Sequence, residues 1–502
     1  MKKLKNRITL LNIISNLFLQ FISIISWFII PKIILSNFGS EVNGLVSSIT
    51  QFLSYISLVD GGISGVVVAS LYKPLIDNDN KKISSIISTA ESFYKKICFA
   101  FIIYTIILSI VYPIIFKVNF SYLYVASLVL VLSISMIVQY LYAFTLRNLL
   151  TADKKGFVVS LTQSLILILT IVFSYISVKI YPSIHILKFI SGILFIFQPI
   201  AYYLYIKKHY NINKREKKDN RLLRQRWNGF AINIASFIHN SVDISLLTIF
   251  TNMATVSIYG VYSIVTKGLK SIVNAISGAI NPTIGKAYAS KNFNNLNKKM
   301  DVYEYLILLI VFFMFTLASL LITPFVMIYT KNIADANYNQ PLFGILLVIS
   351  EALYLIKYPH LNLAYSANKF KELTVPAFLE AIINIVVSLI LINKYGLIGV
   401  AAGTICGMLY RLIYHVYFTK KLIDRHQLIF YKKIFIFICA TVFGLVICYL
   451  FIPITKFNIK SLVISSLEYS LLFGTIYFIT SVIFFKNELL FFKKYIFRKK
   501  IK

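Results

Sequence analysis

Three lysines and one arginine lie inside long apolar stretches of this sequence, where a charged side chain is costly. Moving a charge to the centre of a membrane costs about 2.5–3.5 kcal/mol on insertion scales, so such residues usually line a cavity or have a partner. Lys267 and Lys270 are three positions apart and would share one face of a helix. Two ammonium groups on one face could bind a diphosphate, and pairing with a neighbouring carboxylate is the alternative.

The remaining interior cations, Arg411 and Lys357, and Arg147 at the end of an apolar stretch suggest a second polar face and two interfacial anchors. Arg411 and His415 are four positions apart, and a guanidinium there could bind a diphosphate through two hydrogen bonds. Arg147, at the inner end of the fourth apolar stretch, is a further candidate for contact with an anionic substrate or a plain interfacial anchor. For Lys357 we expect snorkelling, in which the ammonium group reaches the inner headgroups.

Interior acids could take up and release a cation. Asp243 lies one helical turn from His239 in the seventh stretch, and Glu351 lies in the middle of the tenth. Carboxylates at that depth could bind a proton or a sodium ion in one conformation and release it in another. The alternative for Asp243 is an ion pair with Lys267 or Lys270.

Two further acids have packing alternatives. Asp60 precedes a glycine pair, which favours close helix packing or a bend, with the carboxylate on a cavity wall. Glu380 forms a polar stripe with Asn384 and Ser388, and this stripe could face either a cavity or the interior of a lobe. The four cysteines lie in apolar stretches without metal-ligand spacing, so neither a disulfide nor a metal site is expected.

The elements that carry these residues are fourteen apolar stretches, nearly all long enough to cross a bilayer as helices. An all-α polytopic bundle is expected, because open sheets cannot satisfy their backbone in lipid and the period-two alternation of barrel strands is missing. The predicted spans are 8–34, 44–71, 93–116, 121–149, 157–180, 183–206, 228–252, 255–285, 303–329, 340–366, 374–392, 396–419, 432–452 and 461–485.

The cations between these stretches predict topology. Of 51 Lys and Arg residues, 39 fall on every second connection, eight on the others and four inside the apolar spans. Cytoplasmic connections carry such an excess, so both termini are predicted to be cytoplasmic. The formal net charge of +33 partly reflects a composition rich in Lys, Ile and Asn. We therefore expect anionic membrane lipids, and no nucleic acid, as partners of the basic segments.

The second half of the chain repeats the first at an offset of about 211–217 residues. Gly44 aligns with Gly260, and the TADK sequence from Thr151 aligns with the SANK sequence from Ser366. Two six-span lobes related by an axis along the membrane normal are therefore predicted. We expect an N-terminal lobe at 1–206, a basic linker at 207–227, a C-terminal lobe at 228–425, and two extra helices with a basic tail at 426–502.

Short motifs in the second span carry a family resemblance. They are FGSEVNGL at 38–45, LVDGGI at 58–63 and LYKPL at 71–75, followed by Asp77 and Asp79. With the two lobes and the extra pair of spans, the chain resembles the Wzx-type polysaccharide flippases of the multidrug/oligosaccharidyl-lipid/polysaccharide exporter superfamily.

That resemblance implies a MATE-like pair of lobes arranged as a V around a central cavity in a bacterial cytoplasmic membrane. It implies that an undecaprenyl-diphosphate-linked oligosaccharide moves from the inner to the outer leaflet by alternating access. No cofactor is expected, and a proton or sodium gradient would drive coupled transport. A monomer is expected, with the polymerase and glycosyltransferases of the same pathway as candidate partners.

Three other functions fit the sequence less well. A glycosyltransferase, ligase or polymerase needs an extracytoplasmic catalytic region, and the outer connections are too short for one. A multidrug antiporter of the same superfamily would have a mainly acidic and aromatic cavity rather than mid-depth lysines. A peptidoglycan precursor flippase would resemble this chain in span number, but the arginines expected in its first span are missing from Ile8–Ile30. No P-loop is present, so this chain alone is not an ATP-driven transporter.

Overall fold

In a computed structural model of the protein, the described residues are 2–60, 62–116, 119–213, 216–219, 237, 241–451 and 457–497. All regular elements in these ranges are helices, and they form eleven stretches long and apolar enough to cross a membrane, some of which join two consecutive helices. Contacts divide the chain into two compact units, residues 1–257 and residues 258–502. The lobe boundaries drawn from the internal repeat stay a prediction.

The first unit begins with a long helix that contains a sharp bend. Helix α1 (Lys2–Ser54) is interrupted at Gly39, whose φ of 81° lies in the region that favours glycine. It therefore supplies the first predicted span and the start of the second. The second span continues through α2 (Ser57–Asp60) and α3 (Ile63–Ile76), with Gly62 at φ 90° before α3.

The remaining helices of this unit lie at the predicted spans, but α4 begins 13 residues before the predicted span 93–116, and the predicted span 183–206 is divided between α8 and α9. Their bounds are α4 (Asn80–Ile115), α5 (Tyr122–Val138), α6 (Phe144–Ala152), α7 (Gly156–Ile180), α8 (Ile184–Leu194), α9 (Phe197–His209) and α10 (Ser241–Phe250). A π-turn at Gln139–Ala143 joins α5 to α6, so these helices together form the fourth span. Most of the predicted seventh span, 228–252, precedes α10 and lies outside the described residues.

Within this unit the second half of α1 packs closely against the chain around residues 241–257. A Cβ atom on Gly44 would lie 1.8 Å from the Met253 carbonyl oxygen, so only glycine fits there. Hydrogen bonds extend the contact, because Asn43 Nδ2 donates to Ser257 Oγ at 2.8 Å and Thr248 Oγ1 donates to Ser48 Oγ at 2.7 Å. Small and hydroxyl-bearing residues at this crossing are typical of helix packing in membranes.

The second unit contains the C-terminal helices, most of which again match predicted spans. Their bounds are α11 (Met253–Ala289, which begins in the first unit), α12 (Phe293–Tyr329), α13 (Pro341–Ile356), α14 (Tyr358–Ser366), α15 (Phe370–Tyr395), α16 (Leu397–Ile423), α17 (Leu428–Phe451), α18 (Ile459–Phe484) and α19 (Lys486–Phe497).

Two close contacts hold helices of this unit together. Helices α15 and α16 approach closely at Gly403, where a Cβ atom would lie 2.7 Å from the Asn384 carbonyl oxygen. The extra helices α17 and α18 pack on α12, with Phe312 and Phe437 stacked at 5.4 Å between ring centres. The predicted all-α polytopic fold is confirmed.

Candidate functional site

The exposed positions of α11 are mostly polar or small, unlike those of α17. Its exposed positions include Lys267 and Asn274 together with small residues such as Gly278, and Ile272 is the only large apolar residue among them. By contrast, α17 exposes large apolar residues that suit contact with lipid tails, including Phe435, Val442, Phe443 and Val446. A polar and small-residue face on a helix of spanning length is expected to border water rather than hydrocarbon.

Lys267 and Lys270 both lie on α11, but their surroundings differ. Lys270 Nζ lies 3.0 Å from Glu351 Oε2 on α13 and 3.8 Å from the ring centre of Tyr354. Lys267 is exposed, and it makes no ion pair within the described residues. The predicted alternative of pairing with a carboxylate therefore applies to Lys270, and the carboxylate is Glu351. Glu351 in turn balances part of the positive charge of the two lysines.

Lys357 lies at the junction between α13 and α14 and is only 2% exposed. Its ammonium group lies 4.0 Å from the ring centre of Tyr354 and donates to Met408 Sδ at 3.7 Å. The snorkelling prediction was therefore wrong. The helix breaks at this residue, and the side chain lies inside the unit against Tyr354 and Met408.

Arg411 and His415 lie together on α16, as their spacing predicts. Arg411 Nε donates to His415 Nε2 at 2.9 Å, and its Nη1 forms an ion pair with Glu380 Oε2 on α15. Arg411 is 5% exposed, so in this conformation its guanidinium is already paired and away from solvent. A substrate could reach it only after the pair opened.

The stripe of polar residues along α15 lies between helices. Asn384 and Ser388 are buried, Ser388 Oγ donates to Asn384 Oδ1 at 3.0 Å, and Asn384 Nδ2 donates to Thr404 on α16 at 3.4 Å. Of the two alternatives for the stripe that includes Glu380, packing inside the unit is the one observed.

The other predicted site residues belong to the first unit. Arg147 is exposed on α6 and makes no ion pair within the described residues. Asp243 is 5% exposed on α10. Asp60 ends α2, although its side chain is not among those described, and His239 lies outside the described residues. No cluster of metal-ligating side chains occurs in the part of the chain that the structure describes.

A ladder of neutral polar residues continues from the lysines along α11, and we missed it in the sequence. Tyr358 Oη donates to Asn274 Oδ1 at 2.6 Å, and Asn362 Nδ2 donates to Ser277 Oγ at 2.9 Å. Tyr303 on α12 completes it, accepting from Asn362 at 2.7 Å and donating to Asn281 at 3.2 Å. We call Asn274, Ser277, Asn281, Tyr303, Tyr358 and Asn362 the amide ladder. The spacing of polar residues at 267, 270, 274, 277 and 281 was the available signal.

A second charged cluster lies at the end of α12 and was also missed. Glu304 is fully buried, and its Oε2 lies 2.6 Å from Arg425 Nη2 and 3.1 Å from Lys433 Nζ. Asp301 lies 2.7 Å from each of the same two cations, and Glu488 on α19 lies 3.7 Å from Lys433. This cluster fastens α17 and α19 to α12, which is a structural role.

Comparisons with known proteins agree with this architecture. No protein-family model and no curated protein sequence matches the chain. Among solved structures, "Lipid II flippase MurJ, inward closed conformation" has a TM-score of 0.76 at 17% identity and covers 96% of this chain and 100% of that one.

Multidrug transporters are similar over somewhat less of the chain. An inward-facing multidrug resistance MATE family transporter of the MOP superfamily has a TM-score of 0.60 at 14% identity, covering 79% of this chain and 94% of that one. The MATE multidrug transporter DinF-BH has the same TM-score and identity, covering 84% of this chain and 96% of that one. The chain therefore has the fold that MurJ and MATE transporters share and is a multi-pass membrane protein.

Proposed function

We propose that the protein is a flippase of the MOP superfamily, of the Wzx type. It would move an undecaprenyl-diphosphate-linked oligosaccharide from the inner to the outer leaflet of a bacterial cytoplasmic membrane, with both termini in the cytoplasm. The observation that carries this proposal is the exposed Lys267, which lies near Lys270 on the polar face of α11 and has no ion pair within the described residues.

The chemistry of this face suits a diphosphate attached to a neutral headgroup. Exposed ammonium groups beside a phosphate form charge-assisted hydrogen bonds, which are about twice as strong as neutral ones. Glu351 balances part of the charge of Lys270, whereas Lys267 remains available to the substrate. A proton or sodium ion at Glu351 would release Lys270 for the second phosphate, which would couple transport to an ion gradient.

A flippase for the peptidoglycan precursor is the second candidate. The likeness to a lipid II flippase, at a TM-score of 0.76 over nearly the whole chain, favours it. The two candidate substrates share an undecaprenyl diphosphate and differ in the headgroup attached to it. A multidrug antiporter is less favoured, since the lysine pair would repel a cationic substrate.

Binding of undecaprenyl diphosphate to the purified chain tests the shared chemistry. We expect Lys267→Gln to weaken the binding of undecaprenyl diphosphate about tenfold, because one charge-assisted hydrogen bond is lost. Lys286→Gln is the matched control, because Lys286 is also an exposed lysine of α11 but lies near its last turn. In cells, Lys267→Gln combined with Lys270→Gln should block surface polysaccharide export while the folded protein remains in the membrane. Normal export by this double variant would refute the proposed site.

A further inference from the structure

The amide ladder differs chemically from the lysine pair beside it. Its six members carry amide and hydroxyl groups, and none carries a charge. Asn274 is exposed on the same face of α11 as Lys267, while Tyr358 and Asn362 are partly exposed. The side chains of these three residues could therefore give up hydrogen bonds within the protein and bind hydroxyl groups of a ligand instead. Such an exchange would leave no buried polar atom unpaired.

The ladder also has length and free space. From Asn274 to Asn281 the helix rises about 10 Å, at 1.5 Å for each residue. At Gly278 no other part of the described chain lies within 4 Å of the place where a Cβ atom would be, and the neighbouring Ala275 and Ala279 are exposed as well. Beside the ladder the rings of Tyr354 and Tyr358 lie 5.6 Å apart, and both are partly exposed. Aromatic faces and neutral hydrogen-bonding groups along an open path are the chemistry that binds a carbohydrate.

We propose that the amide ladder is a carbohydrate subsite, in which Asn274 and Asn362 bind sugar hydroxyl groups while Lys267 and Lys270 bind the diphosphate. This inference rests on the proposed function for the identity of the lipid carrier. Because the ladder carries no charge, it is suited to neutral sugars rather than to acidic ones. On the predicted topology the end of α11 near Lys286 is cytoplasmic, so the ladder leads from the cytoplasm to the lysines.

Two lipid probes separate the two subsites in the purified full-length protein. One is undecaprenyl diphosphate, and the other is the same lipid carrying N-acetylglucosamine. We expect the sugar-bearing probe to bind more tightly to the unmodified protein. Asn274→Ala and Asn362→Ala should each weaken its binding about fivefold, the effect of one neutral hydrogen bond. Neither variant should change the affinity for undecaprenyl diphosphate, and Asn274→Gln should restore part of the loss.

A steric variant tests the same subsite without removing a hydrogen bond. Gly278→Trp places a large ring where the protein leaves open space, so the fold should tolerate it. It should abolish the added affinity from the sugar and spare the binding of undecaprenyl diphosphate. Cys439→Trp is the control, because Cys439 is exposed on the apolar helix α17.

The outcomes distinguish the two proposals. Equal affinity of the unmodified protein for both probes, or variants of the ladder that weaken both probes alike, would overturn the carbohydrate subsite and leave the flippase proposal standing. Failure of the unmodified protein to bind either probe would overturn the proposed function and the subsite with it.

Discussion

Glu304 should be among the most sensitive positions of the protein for stability. Its carboxylate is fully buried, and it accepts from Arg425 at 2.6 Å and from Lys433 at 3.1 Å. The change Glu304→Gln keeps the shape of the side chain and removes its charge. The two buried cations then keep Asp301, which is about a third exposed, and Lys433 also keeps Glu488 at 3.7 Å.

The expected cost follows from the burial of all three charged groups. Arg425 and Lys433 are 6% and 5% exposed, so water cannot replace the lost carboxylate. Removing one partner of a buried ion pair costs about 3–5 kcal/mol, because the other charge is left without compensation. Asp301 retains part of the attraction, so we expect a value of about 3 kcal/mol, at the low end of that range.

Thermal unfolding of the detergent-solubilised protein, monitored by size-exclusion chromatography, measures this loss of stability. We expect the melting temperature of Glu304→Gln to fall by several degrees. Glu372→Gln is the matched control: Glu372 pairs with Lys369 at 2.9 Å, but both side chains are exposed. Exposed pairs contribute little, so the control should melt with the unmodified protein. Equal melting of both variants would refute the structural role assigned to the cluster.

Three further predictions concern other contacts. Gly44→Val should destabilise the first unit, because the valine side chain would overlap the Met253 carbonyl group. We expect a cost of about 3 kcal/mol, the upper end of the range for overpacking, and an unchanged melting temperature would contradict this. Lys270→Gln and Glu351→Gln should show a coupling of about 1–2 kcal/mol in a double-mutant cycle of thermal stability, and additive effects would show that the pair is not formed. Arg411→Lys keeps the charge but loses the hydrogen bond to His415. We expect a destabilisation of about 1 kcal/mol, and an unchanged melting temperature would count against that hydrogen bond.

Much of the fold could be predicted because apolar stretches of spanning length have few alternatives in lipid. The predicted span 157–180 became Gly156–Ile180, and 461–485 became Ile459–Phe484. Helix spacing was also a sound guide at short range, since Arg411 and His415 do lie together. Both successes depend only on the local sequence and on the geometry of one helix.

The rest depends on contacts between helices, which hydropathy does not report. Lys357 was assigned to the headgroups from its own surroundings in sequence, but the break between α13 and α14 directs it onto Tyr354. Glu304 was overlooked because it lies near the edge of a predicted span, and its partner Arg425 is 121 positions away. The asparagines of the amide ladder carry no charge, so they do not stand out in an apolar stretch.

The π-turn at Gln139–Ala143 changes how the fourth span must be interpreted. A π-turn inserts one residue relative to a regular helix, which rotates the following residues by about 100° around the axis. A single helical wheel drawn through Tyr122–Ala152 therefore assigns the wrong face to every residue on one side of the turn. In the second unit, the aligned tenth span has its own discontinuity, the break at Lys357 between α13 and α14. Cysteine-scanning or cross-linking maps of the fourth span will show two periodic patterns out of phase, and they need to be fitted as two segments.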